Sequence, residues 1–242
     1  MDLNLVDYIK AFELQKKIVS DRINGDIEHD VILILEHPAV FTLGKRGGRE
    51  NLVVSEEFLK SRNIAIIQTG RGGNITYHGP GQIVLYPIVN LERRKTGVSD
   101  FVNALEEVMI RTASDFGVTA VRDGRNHGVW VKKRQIDGSS LQPDITLVPK
   151  INSDLDNNID ISGINSNAKL GSIGLSVKRG ISFHGLALNV NLDLTPFGWI
   201  NPCGMAGISM TSLENESKKN IDIKNVKDKL LHHFKKITSS DL

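Results

Sequence analysis

The chain contains one cysteine, Cys203, set in Trp199-Ile200-Asn201-Pro202-Cys203-Gly204. A lone thiol closes no internal disulfide, which leaves a packing residue, a shared metal ligand or a nucleophile. Most free cysteines are small buried hydrophobes. Here Pro202 fixes the preceding chain and Gly204 lets another backbone approach, so the segment reads as a turn that presents its side chain. A second group is Ala168-Lys169-Leu170-Gly171-Ser172-Ile173-Gly174. A lysine that opens an apolar strand is usually a solvated edge residue. If the fold carries Lys169 next to Cys203, the ammonium stabilises the thiolate and makes the sulfur a nucleophile near neutral pH. The same amine can hand a proton to a leaving group and take one from an attacking amine.

The third group is Arg71-Gly72-Gly73-Asn74-Ile75-Thr76-Tyr77-His78-Gly79-Pro80-Gly81-Gln82, placed between two expected strands. Its glycines bring backbone amides close to any occupant, and such amides bind anions or carbonyl oxygens. The plain alternative is a tight turn with an exposed arginine. Neither P-loop spacing nor the strand-to-helix context of a dinucleotide fingerprint is present, so no nucleotide cofactor is expected. Of the seven histidines, none forms a metal-spaced pair, and no metal is expected either. His37, His78, His127 and His184 each lie beside Gly or Pro or close to one near strand ends, and only His78, inside the loop, rises above a structural reading. In Phe183-His184-Gly185-Leu186-Ala187, as around Gly171 and Gly174, small residues would leave room for a slim acyl chain.

These groups need elements to hold them. Leu5, Ile9, Phe12, Val19 and Ile23 fall at helical spacing, with Asp2 or Asn4 as cap and Gly25 as stop. Val31 to Leu35 is an apolar run suited to a strand covered on both faces. Ser55 caps a short helix to about Arg62, and Ile64 to Ile67 and Gln82 to Asn90 read as strands. The run Glu92-Arg93-Arg94-Lys95 reads as a solvated turn. Ser99 or Asp100 caps a long helix burying Phe101, Leu105, Val108 and Thr112, ended by Gly117. Val118 to Val121, Val129 to Val131, and a hairpin of Leu170 to Val177 with Ile181 to Val190 follow, then a helix from Val226 to Ile237. The pattern is α+β: a mixed, largely antiparallel sheet flanked by helices.

A net charge of +2 gives no general reason to bind nucleic acid or membrane, and no long apolar run suggests secretion or insertion. A single free thiol suits a reducing compartment, so the chain reads as cytoplasmic. One domain over 1–242 is expected, interrupted by a polar, aperiodic insertion at about 132–167 that reads as partly disordered.

Taken in order, the glycine-rich loop, the Lys169 segment, Phe183-His184-Gly185-Leu186-Ala187-Leu188-Asn189-Val190-Asn191 and Ile200-Asn201-Pro202-Cys203-Gly204-Met205-Ala206-Gly207 resemble the lipoyl(octanoyl) transferase family. The resemblance spans about Val31 to Leu213. It implies the fold of lipoate-protein and biotin-protein ligases and a cofactor-free Cys/Lys acyltransferase. By position, Cys203 matches the acyl-thioester nucleophile and Lys169 the residue that lowers its pKa. Arg71, Gly72, Gly73, Asn74, Ile75, Thr76, Tyr77 and His78, then Ser172, Ile173 and Gly174, then Gly185, Leu186 and Ala187, match the substrate-binding segments. The donor implied is octanoyl-acyl carrier protein. The acceptors are lipoyl domains of 2-oxoacid dehydrogenase E2 subunits and the glycine cleavage H protein. Because carrier proteins are acidic, Arg46, Arg49, Arg71, Lys178 and Arg179 are candidates for the docking face. The insertion is a departure from the family pattern. The rivals are an ATP-dependent lipoate or octanoate ligase and a non-catalytic acyl-binding module.

Overall fold

A computed structural model describes residues 1–124, 126–132, 167–202 and 207–239. Helix α1 (Tyr8–Asn24) begins where the Asp7 carboxylate accepts from the Ile9 and Lys10 amides, and it ends at Gly25 with φ 87°. The expected caps Asp2 and Asn4 do not serve, because Asp2–Leu5 is drawn into strand β1, parallel to β2 (Val31–Glu36). Strand β3 (Val40–Leu43), helix α2 (Glu56–Ser61, capped by Ser55) and strand β4 (Ala65–Gln68) follow. The glycine-rich loop holds an unforeseen short strand, β5 (Thr76–His78), and leads into β6 (Gln82–Ile88).

Helix α3 (Val98–Asp115) starts after Gly97 without a side-chain cap. Ser99 and Asp100 lie inside its first turn, where they cannot take the capping position. Its buried face contains Phe101, Leu105, Val108 and Thr112, as the spacing requires. Strands β7 (Ala120–Asp123) and β8 (Asn126–Lys132) form a hairpin. Then β9 (Asn167–Lys178) and β10 (Ile181–Asn189) pair through Arg179-Gly180, both at positive φ, 48° and 75°, as a two-residue primed turn demands. Strand β11 (Ser209–Met210) lies parallel to β9, and helices α4 (Leu213–Ser217) and α5 (Ile223–Ser239) close the described chain.

The main sheet runs β1-β2-β6-β10-β9-β8-β7 with β11 on β9, and a small sheet runs β4-β3-β5. Strand β2 is covered on both faces as its continuous apolar run requires. Leu33 and Leu35 pack with α1, and Ile34 packs with α3 and α5. A third apolar cluster, including Phe41, Leu43, Tyr77 and Phe197, backs the small sheet. The turn at Glu92–Lys95 is only partly solvated, since Arg94 pairs with Asp30 at 2.7 Å. The expected insertion falls on residues that lie outside the described ones. Its flanks, however, meet, because Lys132 stands opposite Asn167 on neighbouring strands. Loop closure across such a point costs little more for a long loop than for a short one, the penalty being logarithmic in length.

Removing the Asp7 carboxylate leaves the first amides of α1 without their acceptor. Asp7→Ala is expected to lower unfolding free energy by about 1 kcal/mol in a urea titration, with the slope unchanged.

Candidate functional site

Lys169 is placed by an irregularity in the sheet. Val129 pairs with Gly171 and the next residue, Trp130, with Lys169, so β9 carries an extra residue at Leu170. Leu170 lies in the core beneath α3, and a Cβ on Gly171 would meet Met109 Sδ at 2.6 Å, so both point to that side. The bulge therefore turns Lys169 to the opposite face, along with Ser172 and Gly174. Lys169 is 2% exposed, and its ammonium stands 5.0 Å from the Trp130 ring centroid. Its stem crosses Gly128, where an added Cβ would come within 2.9 Å of Lys169 Cε. Gly128, at φ 110°, is tied to α3 by its amide, which donates to Glu106 Oε1 at 2.9 Å. Glu106 escaped the sequence reading, although a carboxylate on the buried face of an amphipathic helix was the signal.

A cavity of about 410 Å³ opens on this face. Its wall takes Ser172, Ile173 and Gly174 from β9, Gly185, Leu186 and Ala187 from β10, and Val84 and Tyr86 from β6. Across from them stand Arg71, Gly72, Gly73, Asn74, Ile75, Thr76 and His78 of the glycine-rich loop, with Tyr8 of α1. Three segments distant in sequence thus line one space. Tyr77 is the exception among the expected loop residues. Alternation along β5 turns Thr76 and His78 inward and sends Tyr77 to the aromatic core against Phe41 and Phe197. Gly171 also differs from expectation, since Met109 occupies the space beneath it. At Gly185 the close neighbour is Leu85 O of the adjacent strand, so its missing side chain makes room for backbone. Beside Gly174 runs the Arg71 stem, 3.1 Å from where a Cβ would sit.

Arg71 is 7% exposed, which removes both the exposed-turn reading and its place on a docking face. Its guanidinium donates to Thr42 Oγ1 at 3.1 and 2.9 Å, to Thr42 O at 2.6 Å and to Gly72 O at 3.0 Å. Thr42 lies in β3, and its side chain is fully buried. From Thr42 a buried polar chain continues through His78 and Gln82 to Asn189, whose amide donates to Thr211 O at 2.9 Å. Thr211 N in turn donates to Lys169 O at 2.9 Å. The loop and the lysine are thereby held by one hydrogen-bonded connection under the cavity.

His37 and His184 join His78 near Tyr8 and Tyr86. His37 bonds Val6 O and Tyr86 Oη, both at 2.8 Å. Burial is the main force lowering the pKa of His37 to about 4 and of His184 to about 3, with Arg71 and Lys45 adding to the latter. His78 is also lowered, by burial and then by His37 and Arg71. His127, by contrast, is largely exposed and approaches Glu106 at 3.6 Å. Cys203 lies outside the described residues. The described residues on either side of it end at the buried Pro202 and begin again at Gly207, and Met210 pairs with Lys169. Among the described residues no group of three His, Cys, Asp or Glu could hold a metal, and no helix is long and apolar enough to cross a membrane.

Comparison with known proteins bears on this arrangement. The family model for the lipoyl protein ligase A/B catalytic domain matches residues 7–235. The octanoyltransferase of Desulfotalea psychrophila is 44% identical over 231 residues, covering 96% of this chain and 89% of that protein. That of Alkaliphilus metalliredigens is 37% identical over 248 residues, covering 100% and 98%. Among solved structures, a bi-partite lipoate protein ligase from Thermoplasma acidophilum superposes with a TM-score of 0.66 at 11% identity, covering 98% of this chain and 82% of that one. At that identity the likeness concerns the fold.

The buried histidines make stability fall in acid. Their folded pKa values lie below the unfolded value, so their contribution is complete above about pH 6.5 and is lost as pH falls toward about 4 and 3. Calorimetry is expected to show a melting temperature that declines through this window, with a shallower decline in His37→Gln.

Proposed function

Since this chain belongs to the family of the lipoyl protein ligase A/B catalytic domain, and is an acyltransferase like the octanoyltransferases that match it over nearly their whole length, we propose that it carries an octanoyl group from octanoyl-acyl carrier protein to a lysine of a lipoyl domain, through a thioester on Cys203. The observation that carries the reading is Lys169, a buried amine turned by the β9 bulge toward a cavity lined by a glycine-rich loop. The acyl chain lies along β9 and β10. The Cys203 thiolate attacks the carrier thioester, and the Lys169 ammonium protonates the departing carrier thiolate. The acceptor amine then attacks the Cys203 thioester, the neutral Lys169 amine takes its proton, and the thiolate returns. Exchange of thioester for thioester is nearly neutral in energy, and conversion to an amide is downhill, so the sequence runs without ATP.

The whole chain, 1–242, acts in this reading as a single cytoplasmic catalytic domain, with the insertion beside Lys169. Arg71, Gly72 to Thr76, His78, Ser172 to Gly174 and Gly185 to Ala187 contact the acyl substrate. Tyr77 supports the loop from behind. Acceptors are lipoyl domains of 2-oxoacid dehydrogenase E2 subunits and the glycine cleavage H protein. A second reading, ATP-dependent ligation of free lipoate or octanoate, is favoured by the fold shared with lipoate ligases.

Incubation with octanoyl-acyl carrier protein alone is expected to give an octanoyl adduct by intact mass that is absent in Cys203→Ser. Lys169→Met is expected to slow transfer at least about a hundredfold. An adduct that forms only with ATP and free acid would assign the chain to the ligases. For carrier docking, Arg46, Arg49, Lys178 and Arg179 are exposed, and reversing their charges together is expected to raise KM for the carrier with kcat little changed, more so at low salt.

A further inference from the structure

Glu106 is a carboxylate on the apolar face of α3, 4% exposed and flanked by the core residues Leu105 and Val108. A charge kept there carries a desolvation cost, so what it holds is informative. Its Oε1 accepts from the Gly128 amide at 2.9 Å and lies 3.6 Å from His127 Nδ1, and its Oε2 lies 3.3 Å from Arg122 Nε. These groups surround one irregularity. Arg122 pairs with Val129 and Asp123 with Asn126, so two residues of β8, His127 and Gly128, stand between consecutive pairs with β7. Pairing of β8 with β9 runs from Val129, opposite Gly171. The Gly128 amide, lifted out of the ladder, is taken up by Glu106 instead of by a strand.

The same bulge is where β8 meets the lysine. Gly128 sits at φ 110°, and an added Cβ would come within 2.3 Å of Gly171 O and 2.9 Å of Lys169 Cε. Trp130 braces the segment as well, its Nε1 donating to Asn126 O at 3.3 Å while its ring centroid lies 5.0 Å from the Lys169 ammonium. The lysine stem thus rests against a stretch of backbone whose place is set from α3. We propose that Glu106 is a positioning residue for Lys169: by holding the Gly128 amide it keeps the β8 bulge against the lysine stem and so fixes where the amine stands in the cavity. It acts through Gly128, since among the described residues the cavity wall takes His127 and Lys169 but not Glu106. This rests on the acyl-transfer reading of Lys169 and adds a residue which that reading does not use.

The test compares the full-length wild type with four variants. Glu106→Met keeps the length and removes the acceptor, Glu106→Asp keeps the charge and withdraws it by one methylene, and Glu106→Gln keeps an oxygen for the Gly128 amide. Arg122→Gln removes the ion pair and leaves that hydrogen bond in place. Two quantities are read: kcat and KM for transfer from octanoyl-acyl carrier protein, and the pH dependence of Cys203 alkylation by iodoacetamide, which needs no acyl substrate and reports the single thiol of the chain. Glu106→Met is expected to lower kcat by about ten- to a hundredfold, the scale of misplacing a group by roughly 1 Å, with KM changed by less than about twofold. Its alkylation midpoint should move up toward that of Lys169→Met. Glu106→Asp should move both quantities the same way by less, Glu106→Gln should recover most of kcat and the wild-type midpoint, and Arg122→Gln should match wild type in both. Wild-type kcat and midpoint in a folded Glu106→Met, or in Glu106→Asp where methionine prevents folding, overturn the proposal. So does a Glu106→Gln as impaired as methionine, or an equal loss in Arg122→Gln, since charge or stability rather than the held amide would then be what matters. If wild type transfers no acyl group but Glu106→Met moves the midpoint as Lys169→Met does, the transfer reading fails and the positioning of Lys169 by Glu106 stands.

Discussion

One extra residue in β9 governs the rest of the site. Without the bulge at Leu170, strict alternation from the core-facing Gly171 would put Lys169 on the same side as that glycine, among the apolar side chains under α3. An ammonium there would face a large desolvation cost with no water and no aromatic face. The bulge moves it to the cavity side, where the Trp130 ring lies 5.0 Å away. Gly128 and Glu106 then secure the arrangement from β8 and α3. The extra residue thus separates a packed core on one face from a buried amine at the cavity on the other.

The second constraint is the polar layer beneath the cavity. Thr42, Arg71, His78, Gln82, Asn189 and Thr211 come from four separate stretches of chain and bond one another in near-complete burial. Such a chain is costly when broken, because each group left behind keeps its desolvation penalty. It ties the loop that lines the cavity to the strand that carries Lys169. The loop is thereby cross-linked to its surroundings, despite a composition that on its own would be permissive. His184 departs from this pattern, since its backbone is satisfied by Gln15 while its ring is left to the cavity.

Relatives with the octanoyltransferase name match nearly the entire chain, and the ligase from Thermoplasma acidophilum shares its fold at 11% identity. In this chain the sheet lines a cavity along two antiparallel strands, β9 and β10, with the Lys169 amine among its lining groups. Lys132 and Asn167, far apart in the chain, stand opposite each other on neighbouring strands of that sheet.

Local physics was legible in the sequence. Helical spacing located α1, α3 and α5, the continuous apolar run gave β2, and the Lys178-Arg179-Gly180 turn gave the β9–β10 hairpin, because each depends on residues close in the chain. The glycine-rich loop and the Lys169 segment could be singled out by composition and by resemblance. Strands β1, β5 and β11 could not, since a short strand exists only where a distant partner supplies its hydrogen bonds. Nor could the caps of α1 and α3 be placed, because which polar residue is free to cap depends on what pairs upstream of it. Motif singles out Tyr77 and Arg71, and small size singles out Gly171, but which face each presents follows from strand pairing across the fold. The longer elements and the chemical groups available were legible in the chain because both depend on local pattern. Which way those groups point follows from long-range pairing, because a single bulged residue, invisible to any local pattern, reverses a strand's faces.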